Sequence, residues 1–149
     1  MKKSDIKENS IIKFDNIVKN LRMIRQLGEG GTGSTFLLFD ESVEQYFAFK
    51  KYDPYNEDMR DELYDRFVNE IKILFHISHP NIVRVYNHYL YPDKKIGYIQ
   101  MEYIEGTTVD KIDPNDYGKR WDDYFIETID AFHYLHNHKN CIEIYAHKI

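Results

Sequence analysis

Gln26-Leu27-Gly28-Glu29-Gly30-Gly31-Thr32-Gly33-Ser34-Thr35, followed by Phe47-Ala48-Phe49-Lys50, is the stretch that decides the fold. Gly28, Gly30 and Gly33 form a G-x-G-x-x-G pattern, which alone fits several nucleotide-binding turns and also an ordinary flexible turn. The flanks separate these readings. A dinucleotide fingerprint leads from a strand into a helix, whose N-terminus receives the phosphate. Here the glycines lead into Thr35-Phe36-Leu37-Leu38-Phe39, an apolar run of β-formers that ends at the turn signal Asp40-Glu41-Ser42. The spacing predicts strand, glycine turn, strand, and then a third strand, Tyr46-Phe47-Ala48-Phe49, ending in Lys50.

Outward from that hairpin, Leu21 to Leu27 alternates as a first strand should. Before it, Ile11-Ile12-Lys13-Phe14 and Ile17-Val18 fit either an extra edge strand or a short helix. Alternation along the third strand sends Phe47 and Phe49 to one face and Ala48 and Lys50 to the other, with Lys51 opposite Lys50. Asp53-Pro54-Tyr55-Asn56 is a turn, and from about Asp58 to Ile77 the residues Leu63, Phe67, Ile71, Leu74 and Ile77 recur at helical spacing. Glu70 lies one turn beyond Phe67, beside that stripe. His79-Pro80-Asn81-Ile82-Val83 ends the helix and turns the chain. Two strands follow, Val83 to Leu90 and Ile96 to Tyr103, joined by Tyr91-Pro92-Asp93-Lys94-Lys95. Thr107 to Pro114 fits a short helix, and Asp116 to His138 a longer one with Trp121, Phe125, Ile129, Phe132 and Leu135 on one face.

Composition narrows the class. The 149 residues are 42% hydrophobic and 30% charged, which suits one soluble globular unit able to bury about 68–70% of its unfolded surface. The net charge of −5 argues against nucleic acid or an anionic membrane as the main partner. One cysteine excludes an internal disulfide framework and fits a reducing compartment. No apolar run spans a bilayer, and Met1-Lys2-Lys3-Ser4-Asp5 has no apolar core behind it, so a cytoplasmic location is expected. The 13 Tyr and 9 Phe read as packing residues. His133, His136 and His138 lack the further ligands a zinc site needs, and no metal is assigned.

The glycine hairpin, the strand-end Lys50, Asn69-Glu70-Ile71-Lys72-Ile73-Leu74, His79-Pro80-Asn81-Ile82-Val83 and the Tyr134-Leu135-His136 triplet together resemble the protein kinase family over residues 21–139. The resemblance implies an α+β fold: a kinase N-lobe, with a five-stranded antiparallel sheet and one control helix, then two helices of an incomplete C-lobe. It divides the chain into an extension (1–20), N-lobe and hinge (21–106), partial C-lobe helices (107–139) and a divergent tail (140–149). It also implies ATP as ligand, cradled by Gly28, Gly30 and Gly33 because backbone N–H groups must approach phosphate without Cβ atoms in the way. Lys50 would neutralise the α- and β-phosphates while Glu70 holds it in place. The alternatives are a solvated strand-end lysine and a Glu70 that pairs with Lys72 or Arg66 on a wet helix face. Leu27 and Thr35 would cap the adenine and Ala48 would lie against it. Thr35 stands where the family usually has Val, and it fits ordinary strand packing as well. Met101 takes the gatekeeper place, the backbone of Glu102 accepts from adenine, and the backbone of Ile104 donates and accepts. Glu105 either approaches the ribose or is solvated.

The chain departs from the family at its end. After the triplet it reads Asn140-Cys141-Ile142-Glu143-Ile144-Tyr145-Ala146-His147-Lys148-Ile149, with Ile144 or Tyr145 in the place of the catalytic aspartate. Neither H-R-D-x-x-x-x-N nor D-F-G occurs, so the family's base and Mg²⁺ ligands are missing, and Glu143 is no matched substitute. The expectation is a serine/threonine kinase by family that is catalytically inactive as it stands. The alternatives are a pseudokinase-like docking module and a frameshifted remnant. The apolar face around Phe125, Ile129 and Phe132 would lack its usual cover, and another protein is one candidate for covering it.

Overall fold

The computed structural model describes residues 11–14, 17–54, 57–108, 111 and 121–138. Its elements are β1 (Ile11–Phe14), β2 (Ile17–Gly30), β3 (Gly33–Asp40), β4 (Gln45–Tyr52), α1 (Arg60–Leu74), β5 (Val85–Tyr91), β6 (Ile96–Glu102) and α2 (Trp121–Asn137). The strands form one sheet in the order β1-β2-β3-β4-β6-β5. Every neighbouring pair is antiparallel. The five expected strands are therefore present. The choice left open at Ile11 to Phe14 resolves as a sixth, edge strand, with Ile11 opposite Arg22.

Alternation gives the sheet two apolar faces. On one, Leu21, Phe36, Leu38, Phe49, Tyr89 and Tyr98 pack together. On the other, Tyr52 and Ile99 meet Tyr64, Phe67, Ile71 and Leu74 of α1. Each fully buried large side chain contributes about 1.5–3 kcal/mol of transfer free energy. α1 therefore owes its stability to this stripe more than to its ends, since Met59 supplies no side-chain cap. Gly97 makes the close approach possible: a Cβ there would stand 2.4 Å from Phe67 Cε1.

α2 docks on the turn after α1. The backbone N–H of Ser78 donates to Tyr134 Oη at 3.2 Å, and Asn81 Nδ2 donates to the Glu127 carbonyl at 3.3 Å. His79 meets Asp130 at 3.1 Å through Nε2, while its Nδ1 accepts from the Asn81 N–H. Leu135 enters the same apolar cluster as α1. Of the predicted apolar face of α2, only Leu135 is buried; Phe125 and Ile129 are 65% and 64% exposed.

Several boundaries differ from the sequence reading. β2 begins at Ile17, earlier than Leu21, because pairing with β1 extends it. The control helix proper is Arg60–Leu74, preceded by a single 3-10 turn at Glu57–Met59. Past Leu74 the N–H of Ile77 reaches only three residues back, to Leu74, as the chain tightens toward Pro80. β5 begins at Val85, not Val83, and β6 ends at Glu102. The expected short helix Thr107 to Pro114, residues 116–120 of the long helix and the tail 140–149 lie mainly or wholly outside the described residues. Among the described residues no helix is long and apolar enough to cross a membrane.

Candidate functional site

The site is built on the sheet face that also carries α1. Thr35 lies opposite Lys50 across β3 and β4, and Ala48 lies opposite Met101 across β4 and β6. These four residues thus share one face, as strand alternation requires. Ala48 and Lys50 are buried, and Leu27, Thr35 and Met101 are half-buried. Glu102 and Ile104 are exposed where the chain leaves the sheet, and the Glu102 N–H donates to the Arg84 carbonyl at 2.8 Å.

The glycines hold the tip of the β2–β3 hairpin. Gly30 pairs with Gly33, leaving Gly31 and Thr32 as the turn. Gly33 has φ +153°, and a Cβ on it would stand 1.9 Å from the Lys51 carbonyl oxygen, so the bend there admits only glycine. Gly28 and Gly30 have open space on the side a Cβ would occupy. Their backbone is bare toward solvent, which is the surface a phosphate chain needs. Register shifts between Gln26 and Gly28, placing Gly28 opposite Thr35.

Lys50 is 7% exposed, and its ammonium meets both carboxylate oxygens of Glu70, at 2.9 and 3.2 Å. Phe67, one turn before Glu70, places its ring 6.0 Å from Lys50 Nζ. Glu70 is turned toward Lys50 with its side chain 16% exposed, while Arg66 pairs with Glu62 on the outer face of α1. A buried ammonium held by a bidentate carboxylate is a fixed positive charge with little reorganisation left to pay for. Lys51, on the opposite face, pairs with Asp53 at 3.0 Å.

Two contributors escape the sequence reading. Gly97 sets the depth at which α1 sits, and thus the reach of Glu70; an isolated glycine inside a strand is the signal that marks such a close approach. Arg25 Nη2 donates to Tyr103 Oη at 3.3 Å, and the Tyr46 ring lies 6.4 Å from that of Tyr103. Tyr103 stands between Glu102 and Ile104, so this contact ties the exit strand to β2 and β4. No local pattern announces a contact across so many residues. Among the described residues no cluster of three or more His, Cys, Asp or Glu could hold a metal.

Comparison with known proteins bears on the family and the fold. The family model for the protein kinase domain matches residues 21–144. Serine/threonine-protein kinase PknD of Chlamydia pneumoniae is 35% identical over 89 residues, 58% of this chain and 9% of that protein. Serine/threonine-protein kinase pak-2 of Caenorhabditis elegans is 33% identical over 88 residues, 59% of this chain and 16% of that protein. The chain thus matches a small part of these relatives' length. A solved structure described as PpkA-294 apo form superposes with a TM-score of 0.63 at 20% identity, covering 88% of this chain and 53% of the other.

Proposed function

This chain belongs to the protein kinase family, and we propose that it carries the nucleotide-holding half of a serine/threonine kinase site, with ATP as its ligand. The observation that carries the reading is the buried Lys50–Glu70 pair, set on the same sheet face as Thr35, Ala48 and Met101. The open backbone at Gly28 and Gly30 fits a phosphate chain, and the small side chain of Ala48 leaves room for a flat ring. In this reading Lys50 neutralises charge on the α- and β-phosphates, Glu70 keeps it in place, and the exit strand at Glu102 and Ile104 offers backbone groups to the adenine edge. The Ser/Thr preference rests on the names of the two relatives.

The 149 residues hold no H-R-D or D-F-G motif, so no residue is assigned as the base for a substrate hydroxyl or as a ligand for Mg²⁺. We therefore propose nucleotide binding, without turnover, for this stretch taken alone. A second reading, a docking module, is favoured by one observation: an apolar groove of about 600 Å³ between α2 and the segment Asn81 to Val83, with Phe132, Leu135 and Ile104 on its walls.

A thermal melt with and without Mg-ATP tests the first reading. At a hundred times its dissociation constant a ligand stabilises the native state by about 2.7 kcal/mol, a readily visible shift. Loss of the shift in Lys50→Ala, whose own melt stays cooperative, supports the site. A cooperative melt that Mg-ATP leaves unmoved in the unaltered chain overturns it in favour of the docking module.

A further inference from the structure

α2 carries an apolar surface that its own docking leaves uncovered. The helix lies on the turn after α1 through Tyr134 and Leu135, and Ile129 stands about 120° round the helix axis from Leu135. Phe125, Ile126 and Ile129 are each more than 60% exposed, and Phe132 is 44% exposed. Together these four side chains expose about 400 Å², the size at which an apolar patch marks an interaction site. Their order is self-complementary. Asp122, Phe125, Ile129, Phe132 and His136 follow at alternating steps of three and four, the seam of a helix that packs on another helix. All five are exposed. Ile129 is the middle residue of Trp121–Asn137, with a Phe four residues before it and a Phe three residues after. At seven residues on either side the seam ends in opposite chemistry: Asp122, with Asp123 beside it, in the first turn and His136 in the last.

We propose that a second copy of this chain covers the patch, its α2 packed antiparallel on the first about a two-fold axis at Ile129. A two-fold interface demands a surface complementary to itself, and this seam is one. Phe125 of each copy lies beside Phe132 of the other, and the acidic first turn of each meets the imidazole-bearing last turn of the other. The His136 ring donates an N–H to a carboxylate whether neutral or protonated. Asp122 also interacts within its own chain, and a carboxylate accepts from more than one donor. The two helix dipoles run opposed, which favours the same orientation. A parallel pair would set Asp122 and Asp123 of the two copies against one another. With its polar flanks the contact buries about 1,000–1,200 Å² in all, the low end for specific interfaces, so the dimer should dissociate on dilution through the micromolar range. The interface uses neither Lys50 nor the glycine hairpin and stands apart from the nucleotide reading.

Sedimentation across the micromolar range measures the association, and cysteine crosslinking measures its geometry. Ile129→Glu sets a charge at the axis and should raise the dissociation constant about a hundredfold. Its melt should stay cooperative, because Ile129 is exposed in the single chain. Val43→Glu adds the same charge at an equally exposed site on the β3–β4 turn and should change nothing. In a Cys141→Ser background, Ile129→Cys should form a disulfide-linked dimer on mild oxidation. Phe125→Cys should not, since antiparallel packing holds its two copies about 12 Å apart along the axis, beyond the reach of a disulfide. A mixture of Phe125→Cys and Phe132→Cys should crosslink. Self-crosslinking of Phe125→Cys would mean a parallel pair and overturn the proposal. Equal weakening by Val43→Glu would overturn it too. So would a monomer at every concentration, which would leave the patch to residues 139–149 of the same chain or to another protein.

Discussion

Gly97 lies under the ring of Phe67 so closely that a methyl group on its α-carbon would stand 2.4 Å from Phe67 Cε1 and 3.2 Å from Leu90 Cδ2. Phe67 is 3% exposed and cannot swing aside without displacing α1. Gly97→Ala is therefore expected to destabilise the fold by about 1–3 kcal/mol, the range for overpacking a core. It should also lift Glu70 away from Lys50 and diminish the Mg-ATP shift by more than the stability loss alone explains. Urea unfolding, with and without nucleotide, separates the two effects.

The hairpin glycines should divide into two kinds. Gly33→Ala meets backbone that cannot move, the Lys51 carbonyl, and is expected to cost more than Gly97→Ala. Gly30→Ala meets open space, so its stability should stay within about 1 kcal/mol of the unaltered chain. Its nucleotide shift should nevertheless fall, because the added methyl stands where phosphate would approach. Paired thermal melts of the two variants check both statements.

For the ion pair, Lys50→Met takes from the Glu70 carboxylate a cation now 2.9 Å away and is expected to cost about 1–3 kcal/mol. The double variant Lys50→Met, Glu70→Leu should cost less than the sum of the single changes, since it leaves no buried charge uncompensated. A double-mutant cycle in urea gives the coupling. A sum that is simply additive would mean the pair contributes nothing specific.

The buried phenols set an alkaline limit. Burial raises the pKa of Tyr98 to about 12 from the usual 10.0, and it raises those of Tyr52, Tyr64 and Tyr89 as well. A raised folded-state value means the native state favours the neutral phenol. That stabilisation is complete below pH 10.0 and disappears as pH climbs through about 12. Stability should be flat with respect to these groups below pH 10.0 and fall above it, and Tyr98→Phe should blunt the fall. Tyrosinate absorbance followed against far-UV circular dichroism gives the readout.

Tyr134 holds α2 to the turn at Ser78 through its hydroxyl. Tyr134→Phe is expected to cost about 1 kcal/mol, the net value of one hydrogen bond. The tryptophan fluorescence of Trp121 should report the loosening of α2, because Trp121 is the chain's one tryptophan.

Much of this was legible in the sequence for a physical reason. Strand alternation and helical spacing are local, so the shared face of Ala48 and Lys50, the stripe through Phe67, and the turn at Pro80 follow from periodicity and backbone chemistry. The pairing of Lys50 with Glu70 was readable only through the family resemblance, since nothing local distinguishes Glu70 from the other acids of the helix. The start of β2 at Ile17 depends on pairing with β1, and the Arg25–Tyr103 contact joins distant strands, so neither leaves a mark in a short window.

Leu135 and α1 belong to one apolar cluster, while Phe125, Ile126 and Ile129 in the first half of α2 stand in solvent. The helix is consequently two things along one axis. Its last turns share the fate of the sheet, and their amides should exchange with solvent only when the whole lobe opens. Its first turns carry Phe125 and Ile126 in solvent and bury no residue, so their amides should exchange faster. A steep protection gradient along a single continuous helix is what this anchoring produces.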